Sequence, residues 1–143
     1  MDKRSKDLRR TVVDVIANDR RGHLGPAMSS IDIIRVLYDS FLQFRPEDPT
    51  WKDRDRFILS KGHGCLSLYS ILSDKGFFSK DDLNSFCKFD SKFGGHPERG
   101  KVPGVEASTG ALGHGLPIAV GMALAARIRG KSHRIVVLTG DGE

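Results

Sequence analysis

The sequence predicts an α/β fold, a parallel sheet flanked by helices, and three observations point that way. Ile135-Val-Val-Leu138 is apolar and largely β-branched, as in parallel strands covered on both faces. Arg56-Phe-Ile-Leu-Ser60 is a second short apolar run, followed by the polar turn Lys61-Gly-His-Gly64. Elsewhere, apolar residues recur at helical rather than alternating spacing.

Taken in order, Leu8, Val12, Val15 and Ile16 predict an amphipathic helix over residues 5–20. Gly22-His-Leu-Gly-Pro26 breaks it. A second helix is expected to enter at Ser29 or Ser30, with Asp32 three residues after Ser29 resembling a capping box. Its stripe is Ile31, Ile34, Tyr38, Phe41 and Leu42; Ile33 and Leu37 widen it, which predicts burial on more than one side. Residues 46–50 read as a loop before the first strand. Cys65, Leu68, Tyr69 and Leu72 form the next helical stripe, and Ser79 with Asp82 opens a short helix carrying Leu83 and Phe86. Residues 89–115 predict a glycine-rich loop longer than compact domains usually contain, which favours a functional role. A helix over 116–129 carries Pro117 in its first turn, where the missing amide hydrogen costs nothing, and ends at Gly130. Its small residues, Ala119, Gly121, Ala123, Ala125 and Ala126, admit close packing by another backbone.

A chain of 143 residues, 38% hydrophobic, supports one modest core. The charged start resembles no signal peptide, and no apolar run is long enough to span a bilayer. Cys65 and Cys87 lie far apart and outside CxxC spacing, so neither a disulfide framework nor a zinc ribbon is indicated. A soluble, cytoplasmic protein is expected, with no membrane partner. The net charge of +5 and pI of about 9.4 raise the question of nucleic acid. Acids interrupt the bases in Lys52-Asp-Arg-Asp-Arg56, and no basic stretch carries interleaved aromatics, so a nucleic-acid partner is not expected. A positive balance also suits anionic small molecules such as sugar phosphates.

Four of the five histidines sit in glycine-flanked loops: His23, His63, His96 and His114. Loops at the ends of parallel strands converge on one crevice, and imidazole binds phosphate as a cation or shuttles protons near neutrality. Zinc is the competing use of such histidines, but no short ligand spacing of the HxxxH kind occurs. Ser108-Thr-Gly-Ala-Leu-Gly-His-Gly115 leads into a helix, where glycines expose backbone amides to an anion. It is not a Walker loop, and a tight turn with close helix packing is the other reading. Gly140-Asp-Gly142 places a carboxylate between two glycines just past a strand. That arrangement suits a Mg²⁺ bridging to a diphosphate, since Mg²⁺ takes hard oxygens shared with phosphate and water and glycine admits close approach.

His23 in Arg-Gly-His-Leu-Gly, Arg54 to His63, Gly95-His-Pro-Glu98, Val102 to Gly115 and the terminal Gly140-Asp-Gly142 occur in one order. That order resembles the amino-terminal part of transketolase, a thiamine-diphosphate enzyme. The resemblance implies an incomplete thiamine-diphosphate-binding fold, with residues 1–143 the amino-terminal portion of the pyrophosphate-binding domain, truncated after Gly-Asp-Gly. It implies that His23 and His96 face the ketose donor and assist proton transfer, and that His63 touches the cofactor diphosphate. Gly110, Ala111 and Leu112 would line the cofactor, Asp141 would ligate Mg²⁺, and the Gly142 amide would contact the diphosphate. Glu106 would be a structural or interface carboxylate. His114 stands where many family members have glutamine, and His133 matches no motif position and is expected at the surface.

The activity implied is transfer of a two-carbon ketol unit between sugar phosphates. Other thiamine-diphosphate enzymes, of the deoxyxylulose-phosphate synthase or dehydrogenase type, are alternatives that Gly-His-Pro-Glu and Val-Glu-Ala-Ser-Thr-Gly disfavour. A non-catalytic, partner-binding fragment is the other alternative. The family completes its metal site with an asparagine and a backbone carbonyl further on, and its pyrimidine-activating carboxylate comes from a separate domain across a dimer interface. Carboxy-terminal domains or a partner subunit, in a homodimer or heterotetramer, are therefore expected, and this polypeptide alone is expected to be inactive.

Overall fold

The computed structural model describes all residues, 1–143. Helix α1 spans Lys3–Asp19; the Asp2 carboxylate accepts from the Ser5 amide at 2.8 Å and caps it. Leu8, Val12 and Val15 form its buried face.

Helix α2 spans Leu24–Val36, and so begins well before the expected Ser29 or Ser30. Pro26 lies in the first turn, where amides have no helical partner to lose. Ser29 and Ser30 do not cap: both hydroxyls donate back to the Pro26 carbonyl, at 3.1 and 2.7 Å. Asp32 instead receives a fork of hydrogen bonds from Arg9, at 2.9 and 2.8 Å. Nor is α2 buried on several sides. Ile31, Ile34 and Tyr38 of the expected stripe are inside, whereas Phe41 is 45% exposed and Ile33, on the flank, 49%. The helix closes in a widened π-type turn over Leu37–Phe41.

Strand β1 (Arg56–Leu59) feeds a single 3₁₀ turn at Gly62–Gly64 and then helix α3, Cys65–Asp74. Residues 65–72 of α3 are all buried, which makes it the central helix. Ser79 accepts from the Asp81 amide at 3.3 Å, but what it opens is a 3₁₀ segment, Lys80–Ser85, rather than an α-helix. From residue 89 the chain runs irregularly to helix α4, Gly115–Ile128. Phe93, Val102 and Val105 pin that stretch to the core, and the Tyr69 hydroxyl lies 3.1 and 3.0 Å from the Gly94 and His96 carbonyls.

Strand β2, Ile135–Leu138, pairs parallel with β1 in the register Arg56↔Ile135 to Leu59↔Leu138. Alternate residues point to opposite faces. Phe57, Leu59, Val136 and Leu138 pack toward α1, α2 and α3; Ile58, Ile135 and Val137 pack with Ala119 and Met122 of α4. Each strand has one unpaired edge in this two-stranded sheet. On the outer side of α4, Leu116, Val120, Leu124 and Ile128 recur every four residues and are 52%, 52%, 54% and 84% exposed. No helix is long and apolar enough to cross a membrane.

Candidate functional site

The site is built at the end of β1. Immediately after Leu59, the buried Ser60 hydroxyl accepts from the Gly115 amide at 3.1 Å. The Thr109 hydroxyl donates to the Leu59 carbonyl at 2.7 Å. These two bonds stitch both ends of the 109–115 loop to the strand. Gly62 then lies so close that a Cβ there would fall 2.6 Å from the Thr109 carbonyl carbon. At Gly110, with φ at +152°, a Cβ would lie 2.8 Å from His96 Cδ2. These glycines are required by backbone approach and by the imidazole beside them.

Three of the four glycine-flanked histidines meet here from separate segments. The ring of His23 lies 5.4 Å from that of His63, edge-on, and 6.4 Å from that of His96. His114 does not join them. It stands exposed at the start of α4, its Nδ1 3.1 Å from the Leu112 carbonyl of its own loop. Lys61 reaches across to α2, donating to Ser29 Oγ at 2.8 Å.

The loop after β2 closes on the same place. The Glu143 carboxylate accepts from the Gly113 and Gly140 amides, each at 3.2 Å, and so bridges the two glycine-rich segments. Burial pushes this carboxyl up, but the Gly113 amide, the Ser60 hydroxyl, the Gly140 amide and His63 together bring it below the usual range. The Gly113 and Gly140 amides thus face a common negative charge, an arrangement that suits an anion. Asp141 is exposed and engages no other side chain, and Ala111, Leu112 and Gly142 are also exposed. Burial lowers the pKa of His63, with His23, Lys61 and His96 adding to the effect and Glu143 opposing it. His63 is therefore a neutral imidazole at pH 7, able to donate from one nitrogen and accept at the other.

These surroundings suit a diphosphate: amides from two glycine-rich segments, a neutral imidazole and a nearby lysine. They suit a cation less completely. No three His, Cys, Asp or Glu side chains gather to hold one, so a Mg²⁺ at Asp141 would draw its remaining oxygens from phosphate and water.

Sequence reasoning gave no role to Ser60, Lys61 or Glu143. Ser60 directly follows an apolar strand, and Glu143 completes Gly-Asp-Gly-Glu, so both lay beside recognised motifs. His133, expected at the surface, is half-buried with Nδ1 shielded and unpaired. Glu106 is 6% exposed and receives a fork from Arg54 at 2.6 and 2.7 Å, holding the 99–107 segment to the entry of β1.

Residues 2–134 match the family described as transketolase, thiamine diphosphate binding domain. The chain belongs to the transketolase family. Among its relatives is one of the subunits of apulose-4-phosphate transketolase from Actinobacillus succinogenes. It is 45% identical over 144 residues that cover 100% of this chain and 52% of that protein. Transketolase 2 of Escherichia coli is 44% identical over 94% of this chain and 22% of its own. Of solved structures, transketolase from Campylobacter jejuni superposes with a TM-score of 0.90 at 37% identity, covering 98% of this chain and 23% of that one. The chain thus spans about half, or about a quarter, of the length of these transketolase relatives. The fold is a partial α/β thiamine-diphosphate-binding fold.

Proposed function

We propose that this chain is the amino-terminal portion of a transketolase pyrophosphate-binding domain, contributing the donor-sugar contacts and half of a magnesium-diphosphate site. The convergence of His23, His63 and His96 on the Gly110 loop at the strand ends is the observation that carries this reading. Thiamine diphosphate, when bound, supplies the electron sink that a two-carbon ketol transfer needs. The chain's own residues bind, orient and move protons. The Gly113, Gly140 and Gly142 amides and the neutral His63 would hold the diphosphate, and Asp141 would share Mg²⁺ with it. Gly110, Ala111 and Leu112 would line the cofactor. His23 and His96, both exposed beside His63, would hydrogen-bond donor hydroxyls and carry protons on and off them near neutral pH.

The site is completed by further domains or a partner subunit, in a homodimer or heterotetramer working on sugar phosphates in the cytoplasm. The Actinobacillus relative, named as one subunit of its enzyme, supports a multi-chain arrangement. Calorimetric titration of this chain alone with thiamine diphosphate and Mg²⁺ is expected to show no micromolar binding. Adding the completing domains should yield ketol transfer from a ketose phosphate. In that assembly His23→Ala or His96→Ala should lower turnover by about 10²-fold or more, in line with lost general acid–base assistance. Unchanged turnover would remove both residues from the reading.

A further inference from the structure

A second concentration of charge lies at the opposite pole of the sheet. Both strands end at the histidine cluster, whereas Arg56 opens β1 and His133 precedes β2. In a strand rising about 3.3 Å per residue, the four residues of β1 separate these poles by roughly 13 Å. Two adjoining cavities occupy the second pole, of about 520 and 470 Å³. The first lies between the Pro49–Arg56 segment and the Arg99–Val105 loop, and the second between Arg56 and the end of α4, where Glu106, already paired with Arg54, is the one carboxylate in the lining. Lys52, Arg56 and Arg99 line both, and so form the wall they share.

Three of the seven Lys and Arg side chains lining the cavities are neutralised within the protein. Arg54 pairs with Glu106, Lys101 with Glu98 and Lys131 with Asp53. Lys52, Arg56, Arg99 and Arg129 have no carboxylate within 4.0 Å. Arg56 is half-buried; its guanidinium donates only to the Arg54 and Lys52 carbonyls, at 3.1 and 3.3 Å. Burial, together with Arg54, lowers its pKa, Glu106 opposes and Arg99 adds. Holding a guanidinium out of water beside other cations is costly, and an anion relieves that cost.

We infer that this cationic double cavity binds a small molecule carrying two phosphate groups, at a site separate from the cofactor cradle. Guanidinium forks match phosphate oxygens, and two lobes sharing one cationic wall suit two anionic groups on one ligand. The linings contain no Phe, Tyr or Trp on which a nucleobase could stack and few apolar residues, among them Val102, Val105 and Met122. A sugar bisphosphate or inorganic pyrophosphate has the required chemistry, and volumes of this order suit small ligands.

The test is an NMR titration of the ¹⁵N-labelled chain with inorganic pyrophosphate, fructose bisphosphate, orthophosphate and a polyglutamate peptide. The bisphosphate is expected to shift the Arg56, Arg99 and His133 amides, with orthophosphate weaker by about tenfold. Pyrophosphate binding at those amides more tightly than fructose bisphosphate assigns the ligand as inorganic; the reverse order assigns the sugar. Arg56→Gln with Arg99→Gln should weaken the cavity binding by about tenfold or more. If that pair unfolds the chain, Lys52→Gln with Arg129→Gln carries the test, since both residues are exposed and free of ion pairs. Shifts confined to Gly62, Gly110 and Gly113, affinity unchanged in both double variants, or polyglutamate binding more tightly than either bisphosphate probe would each overturn the inference. The last outcome would make the surface an acidic-protein contact.

Discussion

His63 shows how much one imidazole depends on its neighbours. Its titration is held below the usual value by burial first and then by His23, Lys61 and His96. In an NMR pH titration its midpoint should therefore fall below about 6.5, and His23→Asn should move it upward without restoring it fully. The sign for stability follows: the unfolded chain binds the proton more readily, so this contribution is full above the unfolded value and is lost as pH falls through the folded one. Glu106 makes the contrasting case, a carboxylate whose work is structural. Glu106→Ala should destabilise by about 3–5 kcal/mol in denaturant unfolding, because Arg54 would stay largely buried without its partner. Individual roles of this kind were only partly legible. Glycine flanking singled out His23, His63 and His96, yet it singled out His114 equally, and only three-dimensional placement separates that residue from the cluster.

Among the elements, the strands and the buried helical stripes could be read directly from apolar spacing, because period and composition are local properties. The entry to α2 could not. Gly-Pro beside serines reads as a break followed by a cap, but a helix tolerates proline in its first turn, and the serine hydroxyls found the Pro26 carbonyl instead. The 109–115 loop depends on contacts no local rule encodes, namely Ser60, Thr109 and the backbone of Gly62. Gly62→Ala should cost about 1–3 kcal/mol, the usual range for forcing atoms into a filled space. It should also broaden or shift the Thr109 and Gly110 amide resonances, since the added carbon meets backbone rather than a movable side chain.

For the molecule as a whole, the sheet is fastened at one end by Asp55, which joins the entries of both strands. Its carboxylate accepts from the Gln43 amide at 2.8 Å and the Arg134 amide at 2.6 Å, and it pairs with the Arg134 guanidinium at 2.7 Å. Burial raises its pKa, but Arg134 and the two amides outweigh that and leave it below the usual value. Its stabilising effect is thus present above about pH 3.9 and is lost as pH falls through the folded value. Asp55→Asn should flatten that acid limb in pH-dependent thermal melts. Nothing in residues 53–56 announced such a clasp, because its partner lies at Arg134, far along the chain. The position of the cationic cavities was equally hidden: the scattered bases of the sequence become a cluster only when the β1 entry and the end of α4 meet.

The outer row of α4, Leu116, Val120, Leu124 and Ile128, has a practical consequence. An oily ridge of this length, beside a sheet with open edges, makes the free polypeptide adhesive. It should light up the dye ANS while still natively folded, and it should clump as concentration rises. Leu124→Lys with Ile128→Lys should dim the dye and keep the protein dispersed in light scattering, with its melting temperature little changed.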